Sequence, residues 1–265
     1  MYRADSHLHS LHSFDSAAPM EAQCEAACAA GMEEICFTEH FSVNPLVPTY
    51  GYLDRARYDA DYAACRGAFA GRLRVYKGIE LCEPHRYAER YRELFARGPV
   101  DAVVGSVHNV DNGKLRALVR DEGPDRACGR YFSELRDMAG RAEIDVAAHF
   151  DLVKRYIGAP FTEREVEHNL RVIGEILQIL VERGIALELN GSTLGSLGQL
   201  MPCEEIVRLY AQKGGRLLTF GSDAHSPEKL GQGFAEAAAL AKSCGFPGFY
   251  TYRARRPVFH PFEDE

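Results

Sequence analysis

His7-Leu8-His9 near the start of the chain and Asp223-Ala224-His225 near its end share one pattern, two ligand-type side chains separated by a single residue. On a strand such residues face the same side, so each pair can grip one ion. His40, His108 and His149 stand between them, each beside an acidic or small residue. Glu80, in YKGIELC, is a carboxylate of the kind that can bridge two ions. With Asp15 these make nine candidate ligands, too many for one tetrahedral zinc, and two or three divalent ions are expected. Imidazole and carboxylate suit zinc, manganese and iron alike, so the metal stays open. Six imidazoles gathered at one place would be costly if left unpaired, and shared metal ions satisfy them together. The chain has no GxSxG, GKS/T or GxGxxG signature, and no covalent role is expected for Ser106 or Cys82.

These side chains need a scaffold that brings them to one face. Seven short β-rich runs, 2–8, 34–40, 74–82, 101–108, 144–150, 185–190 and 216–222, alternate with helical patterns at Pro19–Ala30, Leu53–Ala70, Pro84–Ala96, Asp125–Ala139, Thr162–Arg183, Pro202–Lys213 and Pro227–Ser243. Prolines stand near four of the helix starts. Gly31, Gly71, Gly98, Gly140, Gly184 and Gly214 follow helices, where a left-handed residue is needed. Such units suit an open doubly wound sheet or a closed barrel. The polar residues decide: His7 and His9, Glu39 and His40, Glu80, His108, His149 and Asp151, Glu188 and Asn190, and Asp223 and His225 fall at the seven strand ends. That placement favours a barrel with one polar site at its mouth.

Length and composition agree. The 265 residues, 46% hydrophobic and 26% charged, read as one globular domain spanning 1–265 with no linker or repeat. No apolar run is long enough to span a bilayer, and the start lacks a secretory pattern, so a cytoplasmic protein with no membrane partner is expected. The net charge of −7, without a basic stripe, argues against nucleic acid as the main partner. The eight cysteines follow no framework spacing and are expected to be reduced, mostly buried thiols.

In order along the chain, DSHLHS, SFDS, CFTEH, KGIE, GSVH, AAHFD, ELN and GSDAH resemble the motifs of the PHP (polymerase and histidinol phosphatase) family, and spacing and length resemble its stand-alone histidinol-phosphate phosphatase branch. The resemblance runs from residue 4 to about 230. It implies an α/β fold, a distorted (β/α)7 TIM-like barrel with a trinuclear metal site at the C-terminal ends of the strands. Carried over by position, it implies a first metal on His7, His9, Glu80 and Asp223, a second on Glu80, His108 and His149, and a third on Asp15, His40 and His225. Many members have a His where this chain has Asp15. Glu80, Asp223 and His225 form the implied catalytic group.

The implied reaction is metal-dependent hydrolysis of a phosphate monoester. Two ions about 3.5–4 Å apart can hold a bridging hydroxide for in-line attack. The implied substrate is L-histidinol phosphate, cleaved to L-histidinol and phosphate in histidine biosynthesis. The alternatives are another small phosphate ester, such as a sugar or nucleotide phosphate, or a non-catalytic metal- or partner-binding module. Phosphate recognition calls for a guanidinium, and Lys154 and Arg155 after HFD are best placed; the resemblance assigns Arg155 to the phosphate. Gly195 stands where the branch usually shows a second Arg, leaving Ser192 and Thr193 as neutral donors. His12 is read either as a solvated loop residue or as a phosphate contact or proton donor. Glu83, Glu39 and the tyrosines could line a pocket for an amine-bearing leaving group. Tyr50 and Tyr52 sit in a Pro-rich segment that could form a lid, whereas Tyr58 and Tyr62, at helical spacing, read as packing. The tail from Phe246 to Glu265 reads as a strand or arm with an acidic end. Oligomeric state is not readable from the chain.

Overall fold

The computed structural model describes residues 1–95 and 98–262; Ala96, expected as a helix end, and the acidic end 263–265 lie outside the described residues. All seven expected strands form, as β1 (Ala4–Leu8), β2 (Glu34–Phe41), β3 (Arg74–Cys82), β4 (Ala102–Ser106), β7 (Val146–Ala147), β8 (Ala186–Asn190) and β9 (Leu218–Gly221). They build one parallel sheet in the order β1-β2-β3-β4-β7-β8-β9. The sheet curls until its edges meet: Asp223 N donates to His7 O and His9 N to Ala224 O, both at 2.8 Å. This seam is a single bridge, Leu8 to Ala224, and not a ladder. The buried Asp5 carboxylate stitches it from below, accepting from Ser222 N at 3.0 Å and Gly231 N at 2.9 Å. The result is a nearly closed seven-stranded α/β barrel.

Alternation along each strand becomes depth inside the barrel. Cys36, Ala102, Val104, Val146, Ala148 and Ala186 pack together as a small apolar cluster with Tyr252. Further along the same inward rows stand Thr38 and His40, Ser106 and His108, and Glu188 and Asn190. Apolar residues therefore fill the lower barrel, and ligand-type residues crown it.

The helices wrap the outside: α1 (Met20–Ala29), α2 (Arg55–Ala68), α3 (Ala88–Phe95), α4 (Leu115–Glu122), α5 (Pro124–Arg141), α6 (Val153–Ile157), α7 (Glu163–His168), α8 (Leu170–Arg183), α9 (Leu194–Leu197), α10 (Glu204–Gln212) and α11 (Phe234–Ser243). Phe132, Leu135 and Met138 of α5 join Ile173, Ile176 and Leu177 of α8 in the main outer core. Asp54 caps α2, accepting from Ala56 N and Arg57 N. Among the described residues no helix is long and apolar enough to cross a membrane.

Several expected boundaries differ. The run 162–183 is two helices, because Asn169 turns its side-chain amide back to Glu165 O at 2.9 Å and ends the first. The run 227–243 opens as a short 3-10 turn, Pro227–Lys229, and Gly231 and Gly233, both left-handed, delay the helix to Phe234. Gly140 lies inside α5, which continues to Arg141, and is not a helix stop. A small hairpin, β5 (Asn109–Val110) and β6 (Gly113–Lys114), leads into α4, where no element was expected. The tail forms an antiparallel hairpin, β10 (Gly248–Arg253) and β11 (Arg256–Pro261). It brings Tyr252 to the lower barrel cluster, with the Tyr252 hydroxyl on Asp145 O at 3.1 Å.

Candidate metal centre

Strand register brings the ligand-type residues together. His40 on β2 pairs directly with Glu80 on β3. His7 Nε2 and His9 Nε2 lie 3.4 and 3.5 Å from Glu80 Oε2, and His149 Nε2 and His108 Nε2 lie 3.1 and 3.5 Å from Oε1. Asp223 Oδ1 sits 3.3 Å from His9 Nε2 and 3.7 Å from His7 Nε2. Asp15 approaches from the loop after β1, 3.3 Å from His225 Nε2 and 3.5 Å from His40 Nε2. His149 and Asp223 reach inward from left-handed backbone, with φ of 28° and 56°. That conformation is costly for residues with a Cβ and concentrates at functional sites. Gly221 leaves the space this needs, since a Cβ there would collide with His7 and Glu188.

A second ring of groups fixes how the imidazoles face. Glu188 Oε1 accepts from His7 Nδ1 at 2.6 Å, while its other oxygen accepts from His149 N at 2.7 Å and Asn190 Nδ2 at 3.0 Å. Ser13 Oγ gives its only proton to Glu39 at 2.6 Å and so accepts from His9 Nδ1 at 2.9 Å. Ser106 Oγ, which donates to Leu81 O at 3.1 Å, accepts from His108 Nδ1 at 3.3 Å, and Asp223 O accepts from His225 Nδ1 at 2.9 Å. His7, His9, His108 and His225 thus have their proton committed at Nδ1 and turn the Nε2 lone pair toward a carboxylate, an arrangement typical of metal-binding histidines; His40 and His149 have no such Nδ1 partner.

Lone pairs aimed at carboxylate oxygens repel unless a cation or an added proton lies between them. The buried atoms His7 Nε2, His9 Nε2, His40 Nδ1, Glu80 Oε2 and His149 Nδ1 have no hydrogen-bond partner. His40 Nδ1 and Glu80 Oε2 are 2.6 Å apart yet misaligned for a hydrogen bond. Buried polar groups are rarely left this way, and a divalent ion fits the arrangement. Four overlapping sets have donor atoms within 4.8 Å of one another: His7, His9 and Asp223; Glu80, His108 and His149; His9, His40 and His225; and His40, Cys82 and His108. The protein thus carries several adjoining clusters able to coordinate divalent ions.

Ionisation follows the crowding. Burial acts against the charged forms of Glu80 and Asp223, but the surrounding imidazoles, with Arg155 beside Asp223, hold both carboxyls well below the usual range. Burial pushes His9 well below an ordinary imidazole and His108 down to about 3. For His7 burial is outweighed by the charges of Glu188 and Glu80, which raise it well above the usual value. Burial raises the Cys82 thiol to about 11, so it is protonated at neutral pH.

A cavity of about 430 Å³ opens over this centre, lined by Phe14, Asp15, His40, Pro48, Thr49, His108, Asn109, Lys114, Leu115, Arg116, Arg155, Tyr156, Asp223 and His225. Arg155 donates to Ser192 Oγ and to Asp223 Oδ2, the latter at 3.2 Å. His12 lies elsewhere, with Nε2 3.0 Å from Asp61 Oδ2. Glu39 is occupied by Ser10 and Ser13, and Glu83 by His108 N and Asn109 N; neither lines the cavity. Tyr50 lines a separate side pocket, and Tyr50 and Tyr52 are exposed. Tyr58 is buried, its hydroxyl on Phe37 O and Gly78 O, and half-buried Tyr62 reaches Val75 O.

The sequence reading missed the orienting roles of Glu188, Glu39 and Ser13, and the cavity positions of Phe14, Lys114 and Arg116. The Asn-Gly pair at 112–113 was an available hairpin signal for the segment that carries Lys114 and Arg116.

Comparison with known proteins gives the same picture. The chain is 28% identical over 258 residues to a Clostridium acetobutylicum protein named "Probable histidinol-phosphatase", covering 94% of this chain and 97% of that one. It is 25% identical to the histidinol-phosphatase of Lactococcus lactis, with 95% of each covered. The crystal structure of histidinol phosphate phosphatase from Lactococcus lactis, complexed with zinc, L-histidinol and phosphate, superimposes with a TM-score of 0.86 at 23% identity, covering 97% of this chain and 98% of that one. The sequence model of the PHP domain matches residues 5–192, well over half of the protein, and the chain accordingly belongs to the PHP domain family.

Proposed function

We propose that this protein is a metal-dependent phosphomonoesterase that hydrolyses L-histidinol phosphate to L-histidinol and phosphate. The observation that carries the reading is the set of metal-competent clusters joined through Glu80 beneath a 430 Å³ cavity with Arg155 on its wall. Full-length similarity to histidinol-phosphatases supports the choice of substrate. The ligands in this reading are His7, His9, Asp15, His40, Glu80, His108, His149, Asp223 and His225. Divalent ions held there would polarise the phosphoryl group and lower the pKa of water to supply a nucleophile at neutral pH.

The chain's own groups do the rest. Glu80 contributes both oxygens, one to the His7/His9/His40 side and one to the His108/His149 side. Asp223 sits between His9 and Arg155, coupling the metal ligands to the phosphate grip. Arg155, steadied by Ser192, presents a guanidinium to the phosphate oxygens. His225 lines the cavity with one nitrogen on Asp15, where the leaving group would depart. The Phe14 ring, 40% exposed on the cavity wall, offers an aromatic face to an imidazole. In this reading residues 1–265 act as one PHP-type barrel domain, and the partner is a small phosphate ester. The eight free thiols accord with a reducing, cytoplasmic setting.

A second reading, another small phosphate ester, is favoured by one observation. The cavity's two carboxylates, Asp15 and Asp223, are engaged with histidines and Arg155, which leaves none for a cationic leaving group. Phosphate release from L-histidinol phosphate beside an aryl phosphate and a sugar phosphate, with and without manganese or zinc, separates the two. Turnover of L-histidinol phosphate far above the others is the expected result, and cleavage of the other esters alone would replace it with the second reading.

A further inference from the structure

The mouth holds three cationic side chains, and two of them have no role so far. Lys114, at the end of β6, and Arg116, in the first turn of α4, line the cavity opposite no carboxylate of their own. Among the described residues neither forms an ion pair. The nearby Asp111 is taken by Arg86 at 2.9 Å and Arg130 at 2.5 Å, and the cavity's own acids are engaged as described. In a chain with 38 acidic and 31 basic residues, two unpaired cations facing one cavity stand out, since the arginines around them have carboxylate partners.

Arg155 is a different kind of cation. Its charge is partly spent on Asp223, and one of its donors on Ser192. Ions held in the ligand clusters would meet much of the charge of a phosphate monoester, but its outward oxygens still call for directional donors, and Arg155 has spent part of its own. The Arg116 guanidinium lies 6.0 Å from the centre of the Tyr156 ring, and Tyr156 is both the chain neighbour of Arg155 and a lining residue. Arg116, Tyr156 and Arg155 all line the cavity. Attraction to the ring face at that distance leaves the guanidinium donors unspent.

We infer that Arg116 is a second phosphate-gripping residue of this site, acting with Arg155 on the phosphoryl group, with Lys114 adding charge from the rim. The inference rests on the phosphomonoesterase reading but not on which leaving group the enzyme accepts. Its test is calorimetric titration of inorganic phosphate onto the manganese-loaded protein, with steady-state kinetics on L-histidinol phosphate and an aryl phosphate. Arg116→Ala should weaken phosphate binding about tenfold and raise KM for every ester that is turned over by a similar factor, with metal content unchanged. Arg116→Lys should fall between the two, because it keeps charge and loses the fork. Arg120→Ala, on the same helix but paired with Asp121, should match the wild type. Phosphate affinity within about twofold of wild type in Arg116→Ala, or no measurable phosphate binding by the wild type, overturns the inference. A KM change for one ester alone, with phosphate binding unaltered, also overturns it and assigns Arg116 to the leaving group. Phosphate binding that weakens in Arg116→Ala while L-histidinol phosphate is not cleaved would sustain the inference and remove the substrate assignment instead.

Discussion

The two ends of the barrel are built from the same kinds of residue and treat them in opposite ways. At the lower end, the β10–β11 hairpin carries Arg253 to Glu34 at 2.9 Å and Arg255 to Asp145 at 3.0 Å. Asp101 there accepts from Ala254 N and Lys77 N, and Tyr2 donates to Glu34 at 2.7 Å. Every one of these carboxylates has a protein donor. At the mouth, Glu80 and Asp223 face imidazole nitrogens at 2.6–3.7 Å, and many of the atoms involved have no hydrogen bond. The lower end is electrostatically finished by the fold, whereas the mouth is finished only by an added cation. Glu34 at the lower end is buried like Glu80 and Asp223 at the mouth, so burial alone does not set the two ends apart.

The largest expected effect comes from removing a ligand at the mouth. His9→Ala or Asp223→Asn should lower phosphate release by at least about 10²–10³-fold, with lost metal in elemental analysis and an unchanged circular dichroism spectrum. Retained activity in either variant would falsify the ligand assignment. Chelation should do the same to the wild type, reversibly. Metal should also raise the melting temperature, because an ion that binds only the folded state stabilises it by about 2.7 kcal/mol at a hundredfold excess over Kd.

Next in size are the groups behind the ligands. Glu188→Gln and Ser13→Ala disturb the Nδ1 partners of His7 and His9, and each should cost about 10–100-fold in metal affinity or activity. Full activity at limiting metal in both would mean that packing alone orients the imidazoles.

At the finished end the effect changes kind. Arg255→Ala leaves Asp145 buried with one ionic partner fewer, and about 1–3 kcal/mol of stability should go. Denaturant unfolding should show that loss while metal content and kcat stay as in the wild type. Loss of metal there would show that the two ends are coupled and break the comparison.

The sequence revealed the mouth better than its surroundings for a physical reason. At the end of β1 the ligand residues follow strand alternation, so HxH spacing already states which side chains share a face. His149 and Asp223 escape that rule, since left-handed φ values of 28° and 56° turn them inward; their positions at strand ends pointed to both, but the alternation expected across Asp223-Ala224-His225 does not hold, because β9 ends at Gly221. Helices of five and four residues such as α6 and α9 span barely one turn and show no period. Orienting groups such as Glu188 and Glu39 are joined to their histidines across distant strands or through a serine, which no local spacing announces. The cations of β6 and α4 were hidden for the same reason, because a long-range closure sets them over the site.

The smallest expected effect separates location from chemistry. Glu134 lies on the mouth side of the barrel, bound by Arg86 and by His85 Nε2 at 2.7 Å, residues that directly follow β3. Burial opposes its ionisation, but hydrogen bonds from His85 and Arg86 outweigh burial and hold its carboxyl below that of an ordinary glutamate. A depressed carboxyl contributes stability that is present above its unfolded pKa and is lost as pH falls through the folded value. The gap in unfolding free energy between wild type and Glu134→Gln should therefore be steady at about 1–2 kcal/mol near neutrality and close below pH 4.5. Metal content should be the same in both proteins at neutral pH. A gap that widens on acidification would reverse the sign of this account, and lost metal would place Glu134 with the centre. A protein-satisfied carboxylate held by residues just beyond β3 that leaves the metal untouched would show that an incomplete hydrogen-bond complement, and not nearness to the mouth, marks the groups that need a cation.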